Sequence, residues 1–151
     1  RLVRRLVAAK VPFRAGLMGL AGEPSAGLWR SSYISGEEPI WARNANLLPF
    51  LRNKAGQAYD VGTGRVANYG EIAGGALYFT AEGSFEPVDD SRNCPNDFTV
   101  AIARGGPAVL GLPLLSDAIS GPGYVRVLYL DEDLRVFESP QTSPGRWEKS
   151  G

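Results

Sequence analysis

The chain has no histidine, one cysteine and one methionine among its 151 residues. Without histidine, it cannot supply a Ser-His-Asp triad, a Cys-His pair or an imidazole-ligated metal. The single cysteine, Cys94, rules out an intrachain disulfide, a CxxC pair and a thiolate cluster. One thiol fits an oxidising or a reducing compartment equally well. Long apolar runs are missing too. The charge-free stretch Gly105 to Ser116 is broken by Pro107 and Pro113, whereas a spanning helix needs about 20 apolar residues. Net charge is zero, from 16 basic and 16 acidic residues, so the basic field expected of a nucleic-acid binder is absent and no nucleic-acid partner is expected.

What is present points to a small β-rich domain. The length suits one domain. The chain holds 19 glycines and 11 prolines, well above the average share of about 12% for the two residues together. Leu, Ile, Val and Phe remain abundant enough for a folded core. Charge is segregated along the chain. The basic excess is densest at Arg1, Arg4, Arg5, Lys10 and Arg14, with no acid before Glu23. Leu2, Leu6, Ala9 and Phe13 fall at helical spacing there, which predicts a short amphipathic helix limited by Pro12. An anionic surface is one partner for such a basic end, a solvated helix face the plainer reading. Gly16 to Gly27 reads as a linker.

From Leu28 the hydrophobic period changes to two. Strands are predicted at Leu28–Ser35, Gln57–Val61, Arg65–Tyr69, Leu77–Phe85, Phe98–Arg104, Tyr124–Leu130 and Leu134–Phe137. Gly62-Thr63-Gly64 marks a hairpin, and Gly83 a bend or bulge. Asn44–Lys54 suggests a short irregular helix or a long loop. About seven strands with frequent turns predict a mainly β fold, an antiparallel barrel or sandwich with a short N-terminal helix. Residues 1–26 form the basic helix and linker in this division, 27–138 the barrel and 139–151 a polar tail.

Few residues carry recognisable chemistry. Asp131 and Asp133 flank a turn, where Asp suits the backbone, and Arg135 stands close enough to pair with them. Cys94 lacks the base or helix terminus that activates a thiol. An acid–base enzyme would need a buried carboxylate at a pocket, with Glu71 and Glu82 the candidates. The aromatic residues are more suggestive. Trp29, Tyr33, Trp41, Tyr59, Phe79, Phe85, Phe98 and Tyr129, with Val100, fall in or near predicted strands and could either fill a core or line a cavity for an apolar ligand. Val109, Leu110, Leu112 and Leu114 lie in the charge-free stretch, which must be buried or face something apolar.

Several motifs resemble the plastid-lipid-associated protein (fibrillin) family. Gly27-Leu28-Trp29-Arg30 with Tyr33 is similar to its opening "G-x-W-x-L-x-Y-T" strand, and Pro39-Ile40-Trp41 to the segment that follows. Gly56-Gln57-Ala58-Tyr59 and Gly83-Ser84-Phe85-Glu86 resemble two later strands. Tyr129-Leu130-Asp131-Glu132-Asp133-Leu134-Arg135-Val136 resembles the family's "Y-L-D-x-D-L-R-I". The resemblance implies a lipocalin-like barrel in a plastid protein of thylakoids or plastoglobules. It implies a non-enzymatic protein without a cofactor that binds lipids, carotenoids or quinones. Phe137-Glu138-Ser139-Pro140 stands where the family has its closing strand, which leaves closure of the barrel open at this point. A shortened last strand also admits an alternative, a structural subunit docked on a thylakoid photosynthetic complex through a free sheet edge.

Overall fold

The computed structural model describes residues 2–19, 29–32, 50, 53–88, 90–114 and 117–139, with backbone alone for 117–122. Tyr33, Trp41, most of Asn44–Lys54 and the tail beyond 139 lie outside the described residues.

The architecture is mainly β, one antiparallel sheet nearly closed into a barrel, with a short helix near the N-terminus. Helix α1 spans Leu2–Ala8. The strands are β1 (Trp29–Arg30), β2 (Ala55–Asp60), β3 (Arg65–Glu71), β4 (Leu77–Pro87), β5 (Asn96–Val109), β6 (Leu112–Pro113), β7 (Asp117–Leu130) and β8 (Arg135–Glu138). Their order is β1-β2-β3-β4-β5-β7-β8, with β6 folded back on the end of β5. Most neighbours are hairpin-connected, so local turn chemistry sets the register. Asp60 makes the β2–β3 turn by accepting the Gly62 and Thr63 amides, and Gly64 takes the positive φ the turn requires.

Two sequence expectations change. The strand predicted at Phe98–Arg104 is longer than its alternation indicates. β5 continues to Val109, and Gly105, Gly106 and Pro107 pair with Ala81, Thr80 and Phe79. Proline is tolerated because pairing with β7 ends at Gly105. The Pro107 carbonyl accepts from Leu114 on the side away from β4, so its missing N–H costs no β4–β5 bond. The N-terminal helix is also shorter than its apolar spacing predicts. Lys10 has a positive φ, and the chain then runs extended, with Cys94 donating to the Val11 carbonyl and Phe13 to that of Arg92. Phe13 therefore reaches Phe98, 5.5 Å between ring centroids, from an extended segment and not from a helix face.

The first part of the predicted linker is structural. A 3-10 turn at Ala15–Leu17 leads into Met18, which is completely buried. Gly19 follows against the Tyr59 backbone, where a Cβ would fall on the Tyr59 carbonyl. Val11, Phe13, Leu17 and Met18 join Tyr59, Val66, Phe85, Phe98, Val100, Val125, Val127 and Leu130 in one apolar cluster. The N-terminal segment thus plugs one end of the barrel.

On β5 and β7, Asp97 and Arg126 stand directly opposite and bond through both carboxylate oxygens, at 2.8 and 3.0 Å. Burial alone would raise the Asp97 pKa, but hydrogen bonds from Arg126 and Tyr124 and the charge of Arg126 hold it below the ordinary value. A carboxylate depressed in this way stabilises the fold above its unfolded pKa of about 3.9 and loses that contribution as pH falls through the lower folded value. Asp97→Asn is expected to cost on the order of 1 kcal/mol at pH 7, with the difference from wild type shrinking toward pH 2. Urea unfolding across that pH range checks it.

Candidate functional site: a half-buried arginine at the barrel seam

The edges of the sheet are β1 and β8, which do not pair with each other among the described residues. Side chains bridge the gap. Alternation along β8 puts Arg135 and Phe137 on one face, and alternation along β2 does the same for Gln57 and Tyr59. The Arg135 guanidinium crosses the seam, donating from Nη2 to Gln57 Oε1 at 2.9 Å. Its carbon lies 4.7 Å from the Phe137 ring centroid, 5.0 Å from Tyr59 and 5.6 Å from Trp29. Gln57 also accepts from the Tyr59 hydroxyl and donates to Asn68 Oδ1. Trp29 donates its indole N–H to the Leu17 carbonyl, which ties the seam to the plug.

The electrostatics are lopsided. Nε and Nη1 of Arg135 are buried and have no hydrogen-bond partner among the described residues. No described carboxylate forms an ion pair with it. Burial lowers the Arg135 pKa and raises that of Tyr59, the charge of Arg135 partly offsetting the latter. An arginine nonetheless stays protonated in a protein. An uncompensated buried charge costs several kcal/mol, of which each aromatic face returns about 0.5–2 kcal/mol.

The inward face changes character along the barrel axis. Toward the plug it is filled, with Tyr59, Phe85 and Phe98 stacked edge to face at centroid separations of 5.1 and 5.7 Å. The rung at Gln57 continues through Asn68 and Ala81 to Gly105, and the next holds Gly70, Phe79 and Pro107. Alanine and glycine thus stand beside larger residues, Phe79 and Pro107 among them, toward the end opposite the plug. That end finishes in the β5–β6 turn, where Leu110, Leu112 and Leu114 are 77, 71 and 58% exposed and Val109 is half-buried.

The predicted site residues therefore separate. Tyr59, Phe85, Phe98 and Val100 are core, and Trp29 belongs to the seam. Phe79 shares the inward face of Phe85 by alternation but lies outside the packed cluster, toward the leucine rim. Tyr129 is not inward-facing lining. The β7–β8 register shifts between Val127 and Tyr129, and the Tyr129 hydroxyl bonds Asp131 at 2.7 Å. Arg4, Arg5 and Lys10 are exposed but do not share a surface with the leucines. Their segment is anchored beside Asn93 and Cys94, before β5 begins, whereas the leucines follow its end.

Asp131 holds the β7–β8 turn, accepting the Asp133 and Leu134 amides. Asp133 is exposed there. Arg135 does not pair with either Asp, because alternation directs it inward with Phe137. That parity was the signal in the sequence for its role. Gln57 was missed as well, though it stands two residues from Tyr59. Cys94 is buried, which pushes its thiol pKa up. Glu71 is buried but accepts from the Lys54 amide and the Tyr69 hydroxyl. Burial and that carboxylate push Tyr69 up to about 12. Glu82 lies at the surface, paired with Arg65 and Arg104. Both acids are engaged by these partners. Among the described residues no cluster of metal-ligating side chains occurs, and no helix is long and apolar enough to cross a membrane.

Comparison with family models, with curated proteins and with solved structures finds no match.

Proposed function

We propose that this chain is a non-enzymatic binding protein that takes a small hydrophobic molecule into the end of its barrel opposite the plug, at a membrane surface. The observation that carries the reading is the nearly closed barrel itself, packed with rings at the plugged end, while Phe79, beyond the Gln57–Asn68 rung, lies outside that packed cluster beside Gly70 and Pro107. The exposed leucines at the opposite end supply an apolar rim. Apolar surface removed from water contributes about 25 cal/mol per Å², enough for a lipid-sized ligand to bind without chemistry. The resemblance of the Trp29, Phe85 and Tyr129–Val136 motifs to the plastid-lipid-associated family supports lipids, carotenoids or quinones as ligands and a thylakoid or plastoglobule surface as the site. A docked photosynthetic subunit is the second reading, favoured by the edge of β8, which pairs only with β7 among the described residues.

Native mass spectrometry of the protein purified from its source should show a bound lipid or pigment. Apo mass alone, with no uptake of added lipid, defeats the reading. The rim has its own test. Changing Leu112 and Leu114 together to Asp should weaken sedimentation with liposomes by roughly tenfold or more, while charge reversal at Arg4 and Arg5, near the far end, should change it little. The opposite ranking would move the membrane face to α1.

A further inference from the structure

We propose that the end of the barrel opposite the plug is a tip that enters an uncharged lipid surface through two joined loops, the β3–β4 connection and the β5–β6 turn. This rests on the membrane half of the reading above and narrows it to a mode of contact and a lipid class. The chain carries no charged residue in 72–81 or in 105–116, and both segments reach this end, where Leu77 pairs with Val109. The Leu110 amide donates to the Ala76 carbonyl at 2.9 Å, which ties one loop to the other. Leu110, Leu112 and Leu114 stand out from the first, and Gly75 and Ala76 are exposed on the second. Leu110 is the telling residue. With Gly111 it forms a two-residue hairpin turn, at φ of 50 and 86°. Such a turn favours Asn-Gly or Asp-Gly, because a bulky side chain is strained at positive φ. A leucine there, 77% exposed, adds strain without adding burial to the core.

The backbone favours lipid over a protein partner. A loop that enters lipid finds no water for its N–H and C=O groups, so it must satisfy them itself. These loops do so for much of their length. Ile72 and Ala73 both donate to the Leu77 carbonyl, and Leu114 donates to that of Pro107. The Asn53 side chain donates to the Ile72 carbonyl and accepts the Gly74 amide, both at 2.8 Å. A protein interface carries about one hydrogen bond per 100–200 Å² and a polar rim, which this tip has few groups to supply. Charge decides the lipid class. Among the described residues, Lys54 and Glu71 border the tip with opposite charges, and Arg4, Arg5 and Lys10 belong to the far end. An anionic surface would therefore gain little from the tip that a neutral one lacks.

The experiment measures sedimentation of the full chain with vesicles of phosphatidylcholine alone and of phosphatidylcholine mixed with phosphatidylglycerol. Wild type should bind the two within about threefold of each other and stay bound as salt rises from about 0.05 to 0.5 M, since screening does not weaken apolar contact. Leu110→Asn should weaken binding by about tenfold or more. Its unfolding midpoint should hold or rise, because Asn suits the turn. Ala76→Asp should weaken binding too, whereas Val61→Asp, in the β2–β3 turn at the plugged end, should not. Binding that needs phosphatidylglycerol and is lost at the higher salt overturns the proposal while leaving the membrane reading standing. Wild-type binding by Leu110→Asn overturns it as well, and wild-type binding by Ala76→Asp overturns the two-loop tip. Should Ala76→Asp fail to fold, Leu110→Asn and the salt series still decide. If neither vesicle takes up the protein, the membrane reading itself fails, and this inference with it.

Discussion

Replacing Phe85 by alanine is expected to lower the unfolding free energy by about 3–5 kcal/mol. The ring is 5% exposed and sits edge to face between Tyr59 and Phe98. Phe98 in turn meets Phe13 from the N-terminal segment. Truncation therefore removes apolar burial and two aromatic contacts, and leaves a void in the packed cluster. For a domain of this size the midpoint should fall by roughly 2–4 °C per kcal/mol, which calorimetry reads directly. The result also separates two roles for the same residue. A ring lining an open chamber would lose little on truncation, on the order of 1 kcal/mol, and the variant would admit larger ligands. A small loss would move the boundary between the packed core and the proposed binding chamber toward the plug.

That boundary is where the sequence stops being legible. Period-two alternation locates the strands from Tyr59 to Phe137 because each ribbon needs one apolar face, and hairpin residues such as Gly62-Thr63-Gly64 locate the turns. Alternation says which side chains point inward but not how many inward faces meet at one height. Tyr59, Phe85 and Phe98 thus read alike as lining or core, and only register shows that they stack near the plug. The β5 extension was hidden because Gly105, Gly106 and Pro107 carry turn chemistry. What admits them to a strand is the end of β7 pairing, a tertiary fact. Met18 was hidden for a related reason, since Leu17, Met18 and Leu20, set among glycines and alanines, follow neither a helical nor a strand period. Arg135 was misassigned because nearby opposite charges in sequence suggest a pair. Across a strand, parity outweighs proximity, and Phe137 was the better guide to where Arg135 points.

Gly83→Ala tests the register of the barrel itself. The β4–β5 pairing shifts between Glu82 and Gly83, where β5 carries one residue more than β4, so Glu82 stands opposite Arg104 and Gly83 opposite Ile102. The shift brings the Ala101 carbonyl over Gly83, so that a Cβ there would fall on it, with the Ile102 Cα only 2.8 Å away. Both obstacles are backbone, which no rotamer change can relieve. Alanine should therefore cost about 3 kcal/mol or more despite its smaller unfolded-state entropy. Gly123 is the internal control. A Cβ there meets Val100 at 3.5 Å, an ordinary contact, and its φ is not positive. Gly123→Ala should change stability by less than about 1 kcal/mol, in the stabilising direction if the lost chain entropy dominates. Urea unfolding of both variants, followed by tryptophan fluorescence, gives the comparison. Equal effects at the two positions would mean that the bulge is not held against Gly83. The placement of Phe79, Ala81 and Gly105 on the inward face above it would then need a different register.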